Sequence, residues 1–226
     1  MTLKERIRSG APFHIGMLPV DAAPEGMAER TAGKGWDLAF VDLQHAPYAE
    51  PQLAQLCQSA AALGVPILAR IHHASAPWQI GRCLDFGAAG VVVPMCEEPA
   101  RVADAVEHFY YPPQGRRSAG LRLAWGWDGS RTPAAYAAWW NANGVLALQI
   151  ETVRAVLDVR SLVRPGVDLL LFGACDLGFS LAATPDCPFA SVAECQRHVV
   201  EETRGLDVRV GVADAPFGRF EADGAG

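Results

Sequence analysis

Short apolar runs of strand length alternate with helix-length segments along this chain, and that alternation constrains its fold more than any other feature. Residues 13–18, 36–42, 66–71, 89–95, 145–151, 167–173 and 207–212 read as strands. Residues 3–8, 22–31, 50–63, 76–86, 99–109, 134–141, 152–163 and 191–204 read as helices, three of them stopped by Gly33, Gly64 and Gly87. Continuous apolar runs are what strands look like when helices cover both faces of a sheet. Strands separated by helices imply parallel pairing with right-handed crossovers. The pattern predicts an α/β fold, a TIM-type (β/α)8 barrel. Seven strands are counted where that barrel needs eight, and such barrels run to about 250 residues. The 226 residues are therefore expected to form one barrel domain, residues 1–226, shortened at its C-terminus and lacking the last strand and helix, with 216–222 as the start of a further helix.

The polar tips of these runs carry the chemistry. The run from Val145 ends in Glu151, and the next delivers Asp176 just past its end through Ala174 and Cys175. Strand ends converge on one rim in a parallel α/β fold, and ligands are held there. Two carboxylates on that rim suit a hard divalent ion such as Mg2+ or Mn2+, with Co2+ as a further candidate. The plainer alternative is that Glu151 caps the following helix and Asp176 orders a turn. On neighbouring strand ends stand Asp42 with His45, and Arg70. A metal on the carboxylates would polarise a 2-oxo acid, Arg70 would face the oxygen where negative charge develops, and His45, oriented by Asp42, would move the proton. That is the inventory of a metal-dependent aldolase.

Each residue also has a duller reading. Asp42 can cap a turn, Arg70 can be a salt-bridge partner of Asp42 or Asp85, and His72 and His73 look like capping or solvent-facing residues. Residues 111–133 are too rich in Gly, Pro and Arg, and too long, for a plain connection, and long ordered loops are usually functional. Within them Arg116 and Arg117 either reach a substrate carboxylate or are solvated, and Trp125 and Trp127 line a pocket or an interface.

Composition removes several function classes. A formal charge of −6 and a pI near 5.5 argue against nucleic acid and anionic membrane as partners. No apolar run approaches membrane-spanning length and the N-terminus has no apolar signal segment, so the cytoplasm is the expected location. Six cysteines form no CxxC pair and are expected to be reduced. The only lysines, Lys4 and Lys34, do not end an apolar strand, which argues against Schiff-base chemistry.

The motifs Asp42-x-x-His45-Ala-Pro47, Arg70, Leu84-Asp85-x-Gly87-Ala88-x-Gly90-Val-x-x-Pro94-Met95, Tyr111-Pro-Pro-x-Gly115-x-Arg117, Gln149-Ile-Glu151-Thr152, Gly166-Val-Asp168 and Gly173-x-x-Asp176-Leu177 resemble the metal-dependent class II pyruvate aldolases. That group includes 4-hydroxy-2-oxoheptanedioate and 2-dehydro-3-deoxyglucarate aldolases and is related to the citrate lyase β subunit. The resemblance implies a TIM-type barrel that cleaves 4-hydroxy-2-oxo acids reversibly to pyruvate, or a related 2-oxo acid, and an aldehyde. It implies Glu151 and Asp176 as metal ligands, His45 with Asp42 as the acid–base pair and Arg70 as enolate stabiliser. Gln149 and the backbone at Ala174 and Cys175 become the pyruvate-binding elements, in a homo-oligomer. Gln44 departs from the glutamate many members carry, and Gly173-Ala-Cys-Asp176 from the usual Gly-Pro-Ala-Asp. The competing readings are a lyase acting on a CoA thioester, which the acidic composition disfavours, and a shortened barrel that binds 2-oxo acids without turnover.

Overall fold

Thr2 opens helix α1 (Leu3–Arg8) with a reciprocal cap, its hydroxyl accepting from Glu5 N and the Glu5 carboxylate from Thr2 N. The computed structural model, which describes residues 1–211 and 219–220, continues as β1 (Phe13–Met17), α2 (Met27–Thr31), β2 (Leu38–Asp42), α3 (Glu50–Ala62), β3 (Ile67–Arg70), α4 (Trp78–Asp85), β4 (Gly90–Val93), α5 (Pro99–Phe109) and α6 (Pro133–Asn143). There follow β5 (Val145–Ile150), α7 (Val153–Leu157), α8 (Val159–Leu162), β6 (Leu169–Phe172), α9 (Ala174–Ala182), α10 (Val192–Glu202), β7 (Arg209–Gly211) and β8 (Arg219–Phe220).

β1 to β7 pair in sequence order and all in parallel, as the alternation predicts. β8 lies on the outer edge of β1 and is antiparallel to it, Phe13 opposite Phe220 and His14 opposite Arg219. Of the helix expected over 216–222, only residues 219–220 are described, and they are extended. The remainder, and Val212 at the end of the expected last strand, lie outside the described residues. The helix expected over 152–163 is two short helices, broken at Asp158, and the one over 22–31 starts as a 3-10 turn at Pro24–Gly26. Residues 174–182, expected as loop, form α9. Its apolar residues fall on all sides, so no helical stripe marks it in the sequence, and only Leu177 is buried.

Side chains alternate along each strand between two cores. The inner one gathers Phe13 and Ile15, Leu38 and Phe40, Leu68, Val92, Val145 and Ala147, and Leu169 and Leu171, with Ile7 of α1. The outer one lies between the strands and the helices. Register sets inward residues side by side, Ile15 by Leu38, Phe40 by Leu68, and Ala147 by both Val92 and Leu169. Each fully buried side chain of this size contributes roughly 1.5–3 kcal/mol. Arg209 of β7 stands over the Phe13 ring at 5.7 Å, so the first and last parallel strands face each other.

The N-terminal strand ends are closed by α1. Asp168, fully buried just before β6, accepts from Leu146 N at 2.9 Å and Arg8 Nη2 at 2.7 Å, and pairs with Lys4 Nζ at 3.3 Å. Burial holds the Lys4 amine below its ordinary pKa despite Asp168. Lys4 is therefore desolvated, which sequence position alone does not show, but at the end opposite Glu151 and Arg70.

Candidate active site

On three strands, β2, β3 and β5, the inward parity changes from apolar to polar at the C-terminal end. On β2, Leu38 and Phe40 are followed by Asp42; on β3, Leu68 by Arg70; on β5, Val145 and Ala147 by Gln149, with Glu151 next in phase just past the strand. Asp42 and Arg70 are register partners. The Arg70 side chain, 9% exposed, donates from Nε to Asp42 Oδ1 at 2.9 Å and from Nη2 to Oδ2 at 2.6 Å, and its Nη1 reaches Gln149 Oε1 at 3.4 Å. Asp42 Oδ1 also accepts from the backbone N–H of Gln44 at 2.9 Å and of His45 at 3.3 Å. Burial alone would raise the Asp42 pKa, but Arg70 and these two N–H groups outweigh it and hold the carboxyl below its ordinary value.

Glu151 is 2% exposed. Its Oε2 accepts from Met95 N at 2.6 Å, and Met95 has φ 48°, unusual for a residue with a side chain. A Cβ on Gly173 would collide with Glu151 Oε1 and lie 2.6 Å from its Cγ, so a larger residue there has to push the Glu151 side chain aside. Burial pushes the Glu151 carboxyl up, the Met95 N–H opposes that, and the neighbouring Asp176 carboxylate pushes it up further. Asp176 reaches Glu151 from the first turn of α9. Two carboxylates crowded together, one of them out of water, fit a divalent cation, which would offset both the burial cost and the repulsion. Among the described residues no group of three or more His, Cys, Asp or Glu side chains is placed to hold a metal ion. Glu151 does not cap α7; Thr152 does, accepting from Ala155 N at 3.1 Å.

Other residues sit differently from their expected roles. His45 is exposed at the rim, and among the described residues its ring makes no hydrogen bond to Asp42, which instead holds the His45 backbone. In place of the expected ring-to-carboxylate pair, Asp42 takes the Arg70 guanidinium on both oxygens. Ala174 and Cys175 form the exposed first turn of α9. His72 meets Gln79 at 3.0 Å and His73 meets Ser75 at 2.7 Å, the local capping contacts that were the duller reading. Arg117 does not face the rim. Its side chain, 1% exposed, donates to Asp85 Oδ1 at 2.9 Å between the rings of Tyr111 and Trp140, and Arg116 pairs with Glu107. Trp125 and Trp127 pack on Tyr136, Trp139 and Trp140. Sequence reasoning missed Met95 and Gly173 as neighbours of Glu151. The one available signal was Gly173 at the end of an apolar run, where a close backbone approach calls for glycine.

A family model described as HpcH/HpaI aldolase/citrate lyase matches residues 16–215. A 4-hydroxy-2-oxovalerate aldolase of Novosphingobium aromaticivorans is 32% identical over 206 residues, covering 88% of this chain and 76% of the relative. A 4-hydroxy-2-oxo-heptane-1,7-dioate aldolase of Salmonella arizonae is 31% identical over 194 residues, covering 84% and 72%. The crystal structure of an HpcH/HpaI aldolase from Desulfitobacterium hafniense superposes with a TM-score of 0.81 at 28% identity, covering 95% of this chain and 83% of that one. Likeness of this extent in both sequence and fold leads to one conclusion: the chain belongs to the HpcH/HpaI aldolase/citrate lyase family.

Proposed function

We propose that this protein is a metal-dependent aldolase that reversibly cleaves a 4-hydroxy-2-oxo acid to pyruvate, or a related 2-oxo acid, and an aldehyde, in a fold of the (β/α)8 barrel type. The observation that carries the reading is the pairing of buried Glu151 with Asp176 beside the Arg70 guanidinium. Bound by these two carboxylates, Mg2+, Mn2+ or Co2+ would supply Lewis acidity to the keto and carboxylate oxygens of the substrate. The first-turn N–H groups of α9 at Ala174 and Cys175, which no helical carbonyl can reach, suit the substrate carboxylate. Gln149 turns its Oε1 to Arg70, which leaves its NH2 for the substrate.

Arg70 is fixed by Asp42 before substrate arrives, so its remaining N–H groups face the keto oxygen with little reorganisation as that oxygen becomes an enolate. His45 takes the proton of the 4-hydroxyl as the C3–C4 bond breaks, the electron pair passing to the keto oxygen, and C3 of the enolate then takes a proton back from the His45 imidazolium to give pyruvate. Asp42 supports this step by holding the backbone of Gln44 and His45, not the ring. The test is pyruvate release from a simple 4-hydroxy-2-oxo acid with Mn2+ or Mg2+ and after chelation, in wild type and Glu151→Gln. Metal-dependent release that the substitution abolishes supports the reading. No release with any of these ions from folded wild type overturns it.

A further inference from the structure

We propose that Met95 and Gly173 are positioning residues that clamp the Glu151 side chain in the conformation in which it holds a divalent cation. The inference rests on the metal-site reading above and adds the two backbone elements that shape the site. They come from different strand ends and meet on one carboxylate. From the loop after β4, the Met95 N–H donates to Oε2 at 2.6 Å, and Met95 adopts φ 48° to aim it. From the end of β6, bare Gly173 backbone stands against the other side, where a Cβ would collide with Oε1 and lie 2.8 Å from Cδ. At 2% exposure, the direction of the Glu151 side chain is set by the protein around it more than by water. Among the described residues Met95 is the non-glycine residue with positive φ. Conformations of that kind persist only where surrounding structure enforces them, and they cluster at functional sites. A short bond from an N–H to a carboxylate is also among the stronger neutral-donor bonds. Held on both sides, the carboxylate keeps its direction whether or not a cation is present.

Two measurements test this, one of them free of metal. The chain has four methionines, so labelling with 15N-methionine gives few amide signals, with Met17 and Met27 as internal references. In the chelated protein the Met95 amide proton should lie far downfield, and Gly173→Ala should move it upfield while the references stay in place. A Met95 signal unmoved by Gly173→Ala overturns the clamp. Mn2+ affinity, read by electron paramagnetic resonance of the free ion, should fall about 10- to 100-fold in Gly173→Ala, the usual scale for groups that orient a metal ligand. Glu151→Asp shortens the side chain and makes room for the new methyl, so adding Gly173→Ala to Glu151→Asp should cost little more. Losses that simply add overturn the proposal. Met95→Gly keeps the N–H and relieves the backbone, so it should raise the melting temperature while weakening Mn2+ several-fold; unchanged or tighter binding overturns the role of Met95. If wild type binds no Mn2+ while Gly173→Ala still shifts the Met95 amide, the metal-site reading has failed, and with it the metal clause of the proposal, while the grip on Glu151 stands.

Discussion

Arg70 and Asp42, register partners at the ends of β3 and β2, are joined by two parallel hydrogen bonds of 2.9 and 2.6 Å. A fork-to-fork pair of this kind fixes the guanidinium plane, which a lysine cannot reproduce. Arg70→Lys is expected to lower kcat roughly 100-fold, the scale of losing one preorganised donor to a developing oxyanion, with a smaller change in KM. Steady-state kinetics of pyruvate release check this, and an unchanged kcat would remove Arg70 from the chemistry.

Asp42 has a pH signature. Its folded carboxyl titrates below the ordinary 3.8, so its contribution to stability is complete above that value and is lost as pH falls through the lower folded value. Asp42→Ala, which strands the nearly buried Arg70 charge, should cost about 2–3 kcal/mol at neutral pH. That cost should shrink in strong acid. Urea unfolding at neutral pH and below pH 4 measures both.

The reverse sign holds for Glu151, whose carboxyl is raised above the ordinary 4.5 by burial and by Asp176. The unfolded chain ionises first, so the chelated protein should lose stability as pH rises from about that value through the raised one. Glu151→Gln removes the penalty and should stabilise the chelated protein by about 1 kcal/mol at neutral pH, the trade seen when a functional charge is neutralised. Thermal unfolding in chelator from pH 5 to 8 is the check. Excess Mn2+ should narrow the gap, because it binds only the folded wild type.

Asp85 and Arg117 should matter for stability and not for the reaction. Arg117→Met leaves Asp85 without its partner, and a Cβ on Gly120 would collide with the Asp85 carboxylate, so both Arg117→Met and Gly120→Ala should destabilise, the former by about 3 kcal/mol. Tryptic cleavage within 111–133 should accelerate while KM in the remaining folded protein holds. A KM change without a stability change would bring this loop to the substrate after all.

All six thiols are free, and burial lifts Cys83 and Cys96 to about 12 and Cys195 to about 11. Cys175 is exposed beside Asp176. Ellman's reagent on the native protein should modify Cys175 first, and Mn2+ should slow that reaction if the ion sits on Asp176.

The strands and their order were legible because an apolar run flanked by helical segments has few alternatives. The same logic brought Asp42, Arg70, Glu151 and Asp176 to one rim, since a polar residue at the end of such a run faces it, whereas Gln149 came only from the family resemblance. Pairing of side chains was legible only as an open choice, with Asp42 and Asp85 both offered as partners of Arg70, and the structure selects Asp42. Nothing in the spacing of Asp42 and His45 shows that Arg70 captures both Asp42 oxygens, nor that Arg117 turns away into an aromatic stack. α9 was hidden because a helix left mostly exposed shows no stripe, and Met95 because a backbone N–H leaves no mark on residue type.

The two-residue period that places Phe40 beneath Asp42, Leu68 beneath Arg70 and Ala147 beneath Gln149 divides labour along these three strands. Apolar residues that hold the fold and polar residues at the rim occupy successive layers of the same inward face. The mouth can accept new side chains while the floor keeps its packing, so a scaffold of this kind can change substrates over evolution through single substitutions that leave its foldability nearly untouched.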